Sequence, residues 1–347
     1  MKVLILAGGH GSRLWPMSTR EKPKQFQKFI NDKTLLQLTF ERHNFVKPED
    51  IFVATNQKYK DLVSNQLPQL PKENIIVEPE KKDSGPALCF AMKFLLDKFG
   101  TDETVSISPA DHIISDNQEY ADKISLGHKL CREHNKFSIV EVKAKYANPN
   151  LGYAKIKDLF CEVEDTQVYT LDRFIEKPDL ETAKEFLKSY KYMWNTGYFI
   201  WSLGKFFDEL KNHASNLYET TKNFDFTNIQ DSYSQYEAIS IDYALIEKVT
   251  PEEILIIPAE LDWSDIGTWQ TLYEQLAENE NENLTQGNVR QINSSKNIII
   301  NQDESKPIVA LNIHDLSVIN TDKAILIAPK KDSKLLKQFI NENPDVK

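Results

Sequence analysis

Glycine is scarce in this chain, with 11 residues in 347, about 3% where an average chain carries roughly 7%. A sequence that uses glycine so rarely places it where backbone geometry requires it. Three of the 11 are Gly8, Gly9 and Gly11. The glycine and proline counts exclude collagen-like and low-complexity classes. Cysteine is also sparse. Cys89, Cys131 and Cys161 are odd in number and form no CxxC pair, so a zinc knuckle or a thioredoxin motif is excluded. Three reduced thiols in a cytoplasmic protein are expected. Long apolar runs are missing: stretches such as Val3–Ala7 and Ile298–Ile300 are far too short to span a bilayer. Met1-Lys2 leads straight into a strand-like run, which does not read as a signal peptide. Positive charge is in deficit, 42 − 52 = −10, so no basic footprint for nucleic acid exists at the level of the whole chain. A phosphate ligand would need Lys and Arg gathered locally, together with a recruited cation.

The rest of the composition is globular, 40% hydrophobic and 27% charged. The length predicts two domains. Apolar strand-like runs alternate with helix-period segments through the first half. Strands are expected at Lys2–Ala7, Ile51–Ala54, Asn74–Val77, Thr104–Ser108 and Phe137–Val142. Helices are expected at Thr34–Asn44, Tyr59–Leu67, Pro86–Phe99 and Glu119–His134. This alternation predicts an α/β fold, a Rossmann-like mixed, mostly parallel sheet with helices on both faces. The middle is less regular. Val168–Phe174, Tyr198–Trp201 and Glu253–Ile257 read as strands, and Leu180–Tyr190, Ile239–Lys248 and Ile266–Ala277 as helices. The acidic run 278–283 reads as a connector between a domain at 1–278 and a small β domain at 284–347, β-helix-like or a sandwich, with a closing helix at Asp332–Ile340. No internal repeat is evident.

Ligands of parallel α/β sheets bind beyond strand carboxyl ends. There the first strand meets Ala7-Gly8-Gly9-His10-Gly11-Ser12-Arg13-Leu14-Trp15-Pro16. A dinucleotide GxGxxG would need glycine at position 14, and a Walker A loop would need glycine at 13 or 14 followed by Lys; neither is present. The cluster alone fits a tight connection as well as a phosphate cradle. Arg13 and Lys24, the latter within Pro23-Lys24-Gln25-Phe26, bracket a stretch with little apolar periodicity.

The run GGHGSRLWPMSTREKPKQF resembles the signature of sugar-1-phosphate nucleotidyltransferases, with RLWP and PKQF similar to the mannose-1-phosphate guanylyltransferase branch. The resemblance continues through Val77-Glu78-Pro79, Asp83-Ser84-Gly85-Pro86-Ala87 and Ser108-Pro109-Ala110-Asp111-His112. It includes Phe174-Ile175-Glu176-Lys177-Pro178 and Trp194-Asn195-Thr196-Gly197, then Ile241-Asp242-Tyr243-Ala244 and the run from Asp262 to Trp269, and reaches 315–322. Some family members carry an isomerase domain beyond this point, before which the sequence stops.

The resemblance implies nucleotidyl transfer. A sugar phosphate attacks the α-phosphorus of GTP, pyrophosphate leaves, and no general base is required because the nucleophile is already ionised. Arg13, Lys24, Asp111 and Asp265 are then the catalytic set, with Mg²⁺ held by Asp111 and Asp265. Ala7, Gly8, Gly9, Gly11, Ser12, Glu78, Ser84 and Gly85 would bind the nucleotide. Glu78 would accept from guanine N1–H and N2–H₂ and repel the N1 acceptor of adenine. Gly152, Glu176, Lys177 and Asn195 would bind the sugar phosphate. Read without the resemblance, Asp265 is well placed to cap a helix at Ile266–Ala277, and His112 reads as a residue that orients the Asp111 turn.

Several positions depart from the family pattern. Ala154 and Lys155 follow Gly152-Tyr153 where a second glycine and an aromatic residue are usual, which opens the identity of the sugar. His10 replaces a small residue, and Thr19 separates Ser18 from Arg20. The expected partners are GTP and mannose-1-phosphate, with no nucleic acid, no membrane and a homodimer. The alternatives are the same reaction on a fucose or heptose phosphate or another base, and a non-catalytic nucleotide-sugar-binding regulatory subunit.

Overall fold

The computed structural model describes residues 1–9, 11–29, 32–343 and 346; His10 lies outside them. The chain forms two compact units. The first comprises Met1–Gly8, Thr39–Ala110 and Ile114–Trp263, and the second 9–38, 111–113 and 264–347 as far as described.

The first unit is built on nine strands: β1 Lys2–Leu6, β2 Ile51–Asn56, β3 Ile75–Glu78, β4 Thr104–Pro109, β5 Phe137–Lys143, β6 Tyr153–Val163, β7 Thr166–Ile175, β8 Tyr192–Ser202 and β9 Ile254–Ala259. Their order in the sheet is β3-β2-β1-β4-β8-β5-β9-β7-β6. Pairing is parallel from β3 to β4 and between β5 and β9, and antiparallel where β6, β7 and β8 enter. Near-continuous apolar runs such as Val3-Leu4-Ile5 suit strands covered on both faces. The two-residue period of a strand divides its side chains between two cores. Phe199 and Trp201 lie in one, Tyr198 and Ile200 in the other. The helix Ser84–Phe99 serves the first core with Leu88, Met92 and Leu95, and Asn117–His134 serves the second with Tyr120, Ile124 and Leu130.

Two expected helices are shorter than their apolar pattern. In place of Ile239–Lys248 there is a wide π-type turn over Asp242–Ile246. The Gly85 N–H donates to Ile239 O at 2.9 Å, and the Ile241 N–H donates to Ser84 Oγ at 2.9 Å, so these backbone groups are spent outside any helix. In place of Ile266–Ala277 the helix is Trp269–Leu276. It is capped by Thr268, whose side chain accepts from Thr271 N–H. Asp265 therefore does not cap this helix.

The second unit carries β10 Leu284–Gln286, β11 Val289–Ile292, β12 Ile298–Asn301, β13 Ile308–Leu311, β14 Leu316–Asn320 and β15 Ile325–Pro329, followed by a helix at Ser333–Glu342. β10, β12 and β14 stack in parallel and β15 closes their sheet antiparallel, while β11 pairs with β13. This is the parallel stacking of a β-helix. Val289 faces Ile308 and Ile298 faces Ser317, an offset of 19 residues in both sheets. The same offset joins Asn293 to Asn312 and Asn301 to Asn320 through their side-chain amides. It also repeats the backbone: Asn293 and Asn312 have φ of 50° and 54°, and Lys296 and Asp315 both have 59°. A repeat of 19 residues is thus present that was not evident from the sequence: its marks are a few asparagines and apolar positions, joined by left-handed corners that only the backbone shows.

Candidate active site

The loop after β1 turns on Gly11, whose φ is +54°. A Cβ there would meet Lys24 Cγ at 2.7 Å, so glycine satisfies both the left-handed backbone and the passage of the Lys24 stem. Arg13 follows in a short 3-10 turn over Ser12–Leu14. The side chain of Ser12 lies outside the described atoms. Lys24 is buried to 8% exposure. Its ammonium lies 3.0 Å from Asp111 Oδ2, donates to the backbone carbonyl of Asp265 at 2.8 Å and reaches that of Ile266 at 3.2 Å. Ile266 has φ of +40°, an uncommon conformation for a β-branched residue, and its side chain is fully buried. A Cβ on Gly267 would stand 3.2 Å from Arg13 Nη2 and 3.3 Å from Asp265 Oδ2. The second unit thus brings Arg13, Lys24, Asp111 and Asp265 together from three separate chain segments. Burial opposes the charge on Asp111, but the Lys24 ammonium outweighs it with help from His112 and holds the carboxyl below the usual carboxylate range. His112 Nε2 stands 3.8 Å from Asp111 Oδ1.

These donors suit a small hard cation. Lys24 already places a positive charge against Asp111 and the Asp265 backbone. Among the described residues no group of three or more metal-type side chains is gathered. Mg²⁺ takes one or two carboxylates and completes its shell with substrate phosphates and water, so Asp111 and Asp265 are the residues that could hold it.

The first unit holds the expected base and sugar residues. Glu78 ends β3 buried, and its Oε2 accepts from the Tyr233 hydroxyl at 2.9 Å. Its Oε1 lies near Gly8, where a Cβ would stand 3.6 Å away. Burial pushes the Glu78 carboxyl up to about 7 against the Tyr233 hydrogen bond. The Gly85 and Ser84 contacts with Ile239 and Ile241 are internal to this unit. The Ala7 N–H is committed to Ala54 O at 2.8 Å, and Gly9, in the second unit, accepts from Gln25 Nε2 at 2.9 Å.

Asn195 sits on a β-bulge in β8, where Val140 faces Tyr198 and Val142 faces Trp194. Bulges re-aim side chains. Here Glu141 Oε2 accepts the Thr196 N–H at 3.0 Å, and Asn195 Oδ1 accepts the Gly197 N–H at 2.9 Å. Asn195 Nδ2 donates to Asp242 Oδ1 at 3.1 Å, and Asn195 N donates to Gly152 O at 2.8 Å. Gly152 has no room for a Cβ, which would collide with Glu176 Oε2 and stand 3.0 Å from Asn195 Cβ. Glu176 Oε1 pairs with Lys177, its N–H donates to Glu247 at 2.8 Å, and its buried Oε2 has no partner. Burial is the largest single influence on Lys177 and lowers it, but the Glu176 hydrogen bond and the charges of Glu176 and Asp242 together more than reverse this and leave it raised. Gly152, Glu176, Lys177 and Asn195 are therefore neighbours.

Three groups in these surroundings were not expected from the sequence. Tyr233 carries no local signal. Glu141 does, as the lone charge in the buried strand Phe-Ser-Ile-Val-Glu-Val. Asp242 lies inside a quoted motif without a role there. The five tryptophans are all buried, at 8% exposure or less, and pack in the cores.

The nucleotidyl transferase family model matches residues 2–282. The chain is 31% identical over 348 residues to the alginate biosynthesis protein AlgA of Pseudomonas putida, covering 97% of this chain and 70% of that protein. It is 31% identical over 357 residues to a mannose-1-phosphate guanylyltransferase of Klebsiella pneumoniae, covering 98% and 74%. Its fold matches a crystal structure of a mannose-1-phosphate geranyltransferase from Thermus thermophilus with a TM-score of 0.89 at 22% identity, over 99% of both chains. No described helix is long and apolar enough to cross a membrane. The gathered cations and carboxylates at the glycine loop therefore belong to an enzyme of group transfer, and the chain belongs to the nucleotidyl transferase family.

Proposed function

We propose that this chain transfers a guanylyl group from GTP to mannose-1-phosphate, releasing pyrophosphate and forming GDP-mannose. The observation that carries the reading is the Lys24 ammonium lodged between the Asp111 carboxylate and the Asp265 backbone, with the Arg13 and Asp265 side chains both beside Gly267. Two anions must meet in this reaction, so positioning and charge neutralisation supply most of the rate.

A phosphate oxygen of the sugar phosphate bonds to the α-phosphorus of GTP, and the bond from that phosphorus to the bridging oxygen breaks. The electron pair leaves with pyrophosphate. No proton needs to move. Arg13 and Lys24 stabilise charge on the triphosphate. Asp111 and Asp265 would hold Mg²⁺, which when bound offsets phosphate charge as a Lewis acid. Glu78, steadied by Tyr233, offers a carboxylate to the two donors of guanine and repels the acceptor N1 of adenine. Glu176 and Asn195 would bond sugar hydroxyls, and Lys177 would contact the sugar phosphate. A sugar epimer that left the buried Glu176 Oε2 unpaired would be penalised.

The test is pyrophosphate release from four nucleoside triphosphates against mannose-, glucose- and fucose-1-phosphate and a heptose phosphate, with and without Mg²⁺. Release with GTP and mannose-1-phosphate, dependent on Mg²⁺, is the expected result. Release with UTP or ATP in place of GTP overturns the guanylyl reading.

A further inference from the structure

Asp242 stands at the entrance of a π-type turn that sequence periodicity alone would have made an α-helix. The turn is pinned from outside by the contacts of Ile239 and Ile241 with Gly85 and Ser84. Its first carboxylate is thereby brought to the side-chain amide of Asn195, with Nδ2 to Oδ1 at 3.1 Å. The other end of that amide is fixed by the Gly197 N–H at 2.9 Å. Asn195 is thus held at both ends, by the side chain of Asp242 at one and by a backbone N–H at the other.

The charges around Asp242 come from every element packed there. Glu176 and Lys177 follow β7, Glu141 lies in β5, and Tyr243 and Glu247 lie on or beside the turn itself. Lys177 is the cation among them, and it is already paired with Glu176. Two carboxylate oxygens of this group, Glu141 Oε1 and Glu176 Oε2, are buried without a partner. Glu141 is fully buried and Glu176 is 9% exposed. Burial pushes the Glu141 carboxyl well above the usual carboxylate range, so the excess of negative charge comes from Glu176 and an ionised Asp242 against the single ammonium of Lys177, beside residues read as taking an anionic ligand.

We propose that Asp242 is a positioning residue for the sugar phosphate, fixing the Asn195 amide and setting the charge that the phosphate meets at Lys177. This inference rests on the reading of Glu176, Lys177 and Asn195 as the sugar side. When Asp242 is protonated it still accepts from Asn195 through its carbonyl oxygen, and the phosphate meets Lys177 with less opposing charge. When Asp242 is ionised it keeps Asn195 in place but competes with the phosphate for Lys177. Burial and the neighbouring Glu176 push the Asp242 carboxyl up to about 7, so this exchange falls near neutral pH. The sign follows directly: KM for the sugar phosphate rises as pH passes from below to above that value, and KM for the nucleotide does not follow it.

The experiment measures KM for the sugar phosphate and for the nucleotide separately, one pH unit below and one above the Asp242 value, in the full chain with Mg²⁺. In the unaltered chain the sugar-phosphate KM rises by up to about tenfold across the interval. Asp242→Asn keeps an acceptor for Asn195 but cannot ionise, and the rise collapses. Asp242→Ala removes the acceptor, and the sugar-phosphate KM is raised at both pH values while kcat at saturating sugar phosphate changes little. A purely structural role would instead move both KM values and the denaturation midpoint together, and would leave the pH ratio of Asp242→Asn unchanged; that outcome overturns the inference. Asn195→Ala and Glu176→Gln separate the two levels of the argument. If neither raises the sugar-phosphate KM, the sugar-side reading fails. If both raise it and Asp242→Asn retains the full pH ratio, the sugar-side reading stands and the role of Asp242 fails.

Discussion

Lys24 Nζ lies 3.0 Å from Asp111 Oδ2. The pair joins a glycine-rich loop to the turn after β4, and it is completed by the Asp265 carbonyl, which accepts from the same ammonium at 2.8 Å. Three distant chain segments thus share one cation, and the stem of that cation passes Gly11 closely enough to exclude a side chain there.

Lys24→Ala is expected to lower kcat on the order of 10³-fold, the lower end of what a well-placed cation contributes to related transfers. Lys24→Arg would rescue little, because a planar guanidinium cannot reproduce the point contacts with Asp111 and two carbonyls. Loss of Lys24 also frees Asp111 from the charge that holds its carboxyl low. Asp111 has its folded value depressed, so its contribution to stability is present above the ordinary carboxylate value and fades as pH falls through the folded one. In Lys24→Ala that acid-side loss of stability should shrink. Steady-state pyrophosphate release and denaturant titration across the acid range measure the two effects. Near-full activity in Lys24→Ala would refute the catalytic role.

Glu78 predicts a pH effect of opposite direction to that of Asp242. Its carboxyl is pushed up to about 7 by burial. As pH falls below that value it takes a proton and loses an acceptor for guanine, so KM for GTP rises toward acid. Folding is linked to the same group. Because the folded value is raised from 4.5, this part of the stability is present at acid pH and is lost as pH rises from about 4.5 to about 7. Glu78→Gln removes both dependences and raises KM for GTP throughout. A GTP KM in the unaltered chain that stays flat through neutral pH would contradict the assignment.

In the β-helix-like part, Asn301 ends β12 with its side-chain amide bonded on both sides. Its Nδ2 donates to Asn288 O at 3.1 Å and Lys306 O at 2.7 Å, and its Oδ1 accepts from Asn320 Nδ2 at 2.8 Å. It is 2% exposed. Asn301→Ala removes the bonds to Lys306 O and from Asn320 Nδ2 and one of the two at Asn288 O, which keeps the Ile308 N–H at 3.0 Å, and is expected to cost about 2–4 kcal/mol. Asn301→Asp should be as severe, because a carboxylate cannot donate to the two carbonyls. Chemical denaturation checks both. A cost below about 0.5 kcal/mol would show that water replaces these bonds.

The strands β1 to β5, the helices between them and the small β domain at 284–347 were legible because burial on both faces, or regular short apolar runs, leaves a mark in local composition. Gly11 and Gly152, both inside motifs that carry the family resemblance, are glycine because a Cβ at either would strike a neighbouring side chain. Helix ends were less legible. Asp265 has the form of an N-cap, yet Thr268 caps the helix, because the Asp265 carbonyl and that of Ile266 are committed to Lys24. Asp242 sits in a run with good helical period that is not an α-helix, because Ser84 and Gly85 take the backbone groups of Ile241 and Ile239.

Local sequence was sufficient for the buried apolar strand runs, the glycine turn, the order of the motifs and the chemistry each residue type offers, but not for β6 or the first half of β8, where polar residues interrupt the apolar pattern. Only the tertiary structure decided which of those groups meet. It placed residues 9–38 and 111–113 in one compact unit with the C-terminal segment. It lodged Lys24 on Asp111, steadied Glu78 with Tyr233, and brought Asp242 to Asn195 across 47 residues of chain. The reason is physical. A buried charge must find its partner in space, and contacts between residues far apart in the chain leave no periodicity along it.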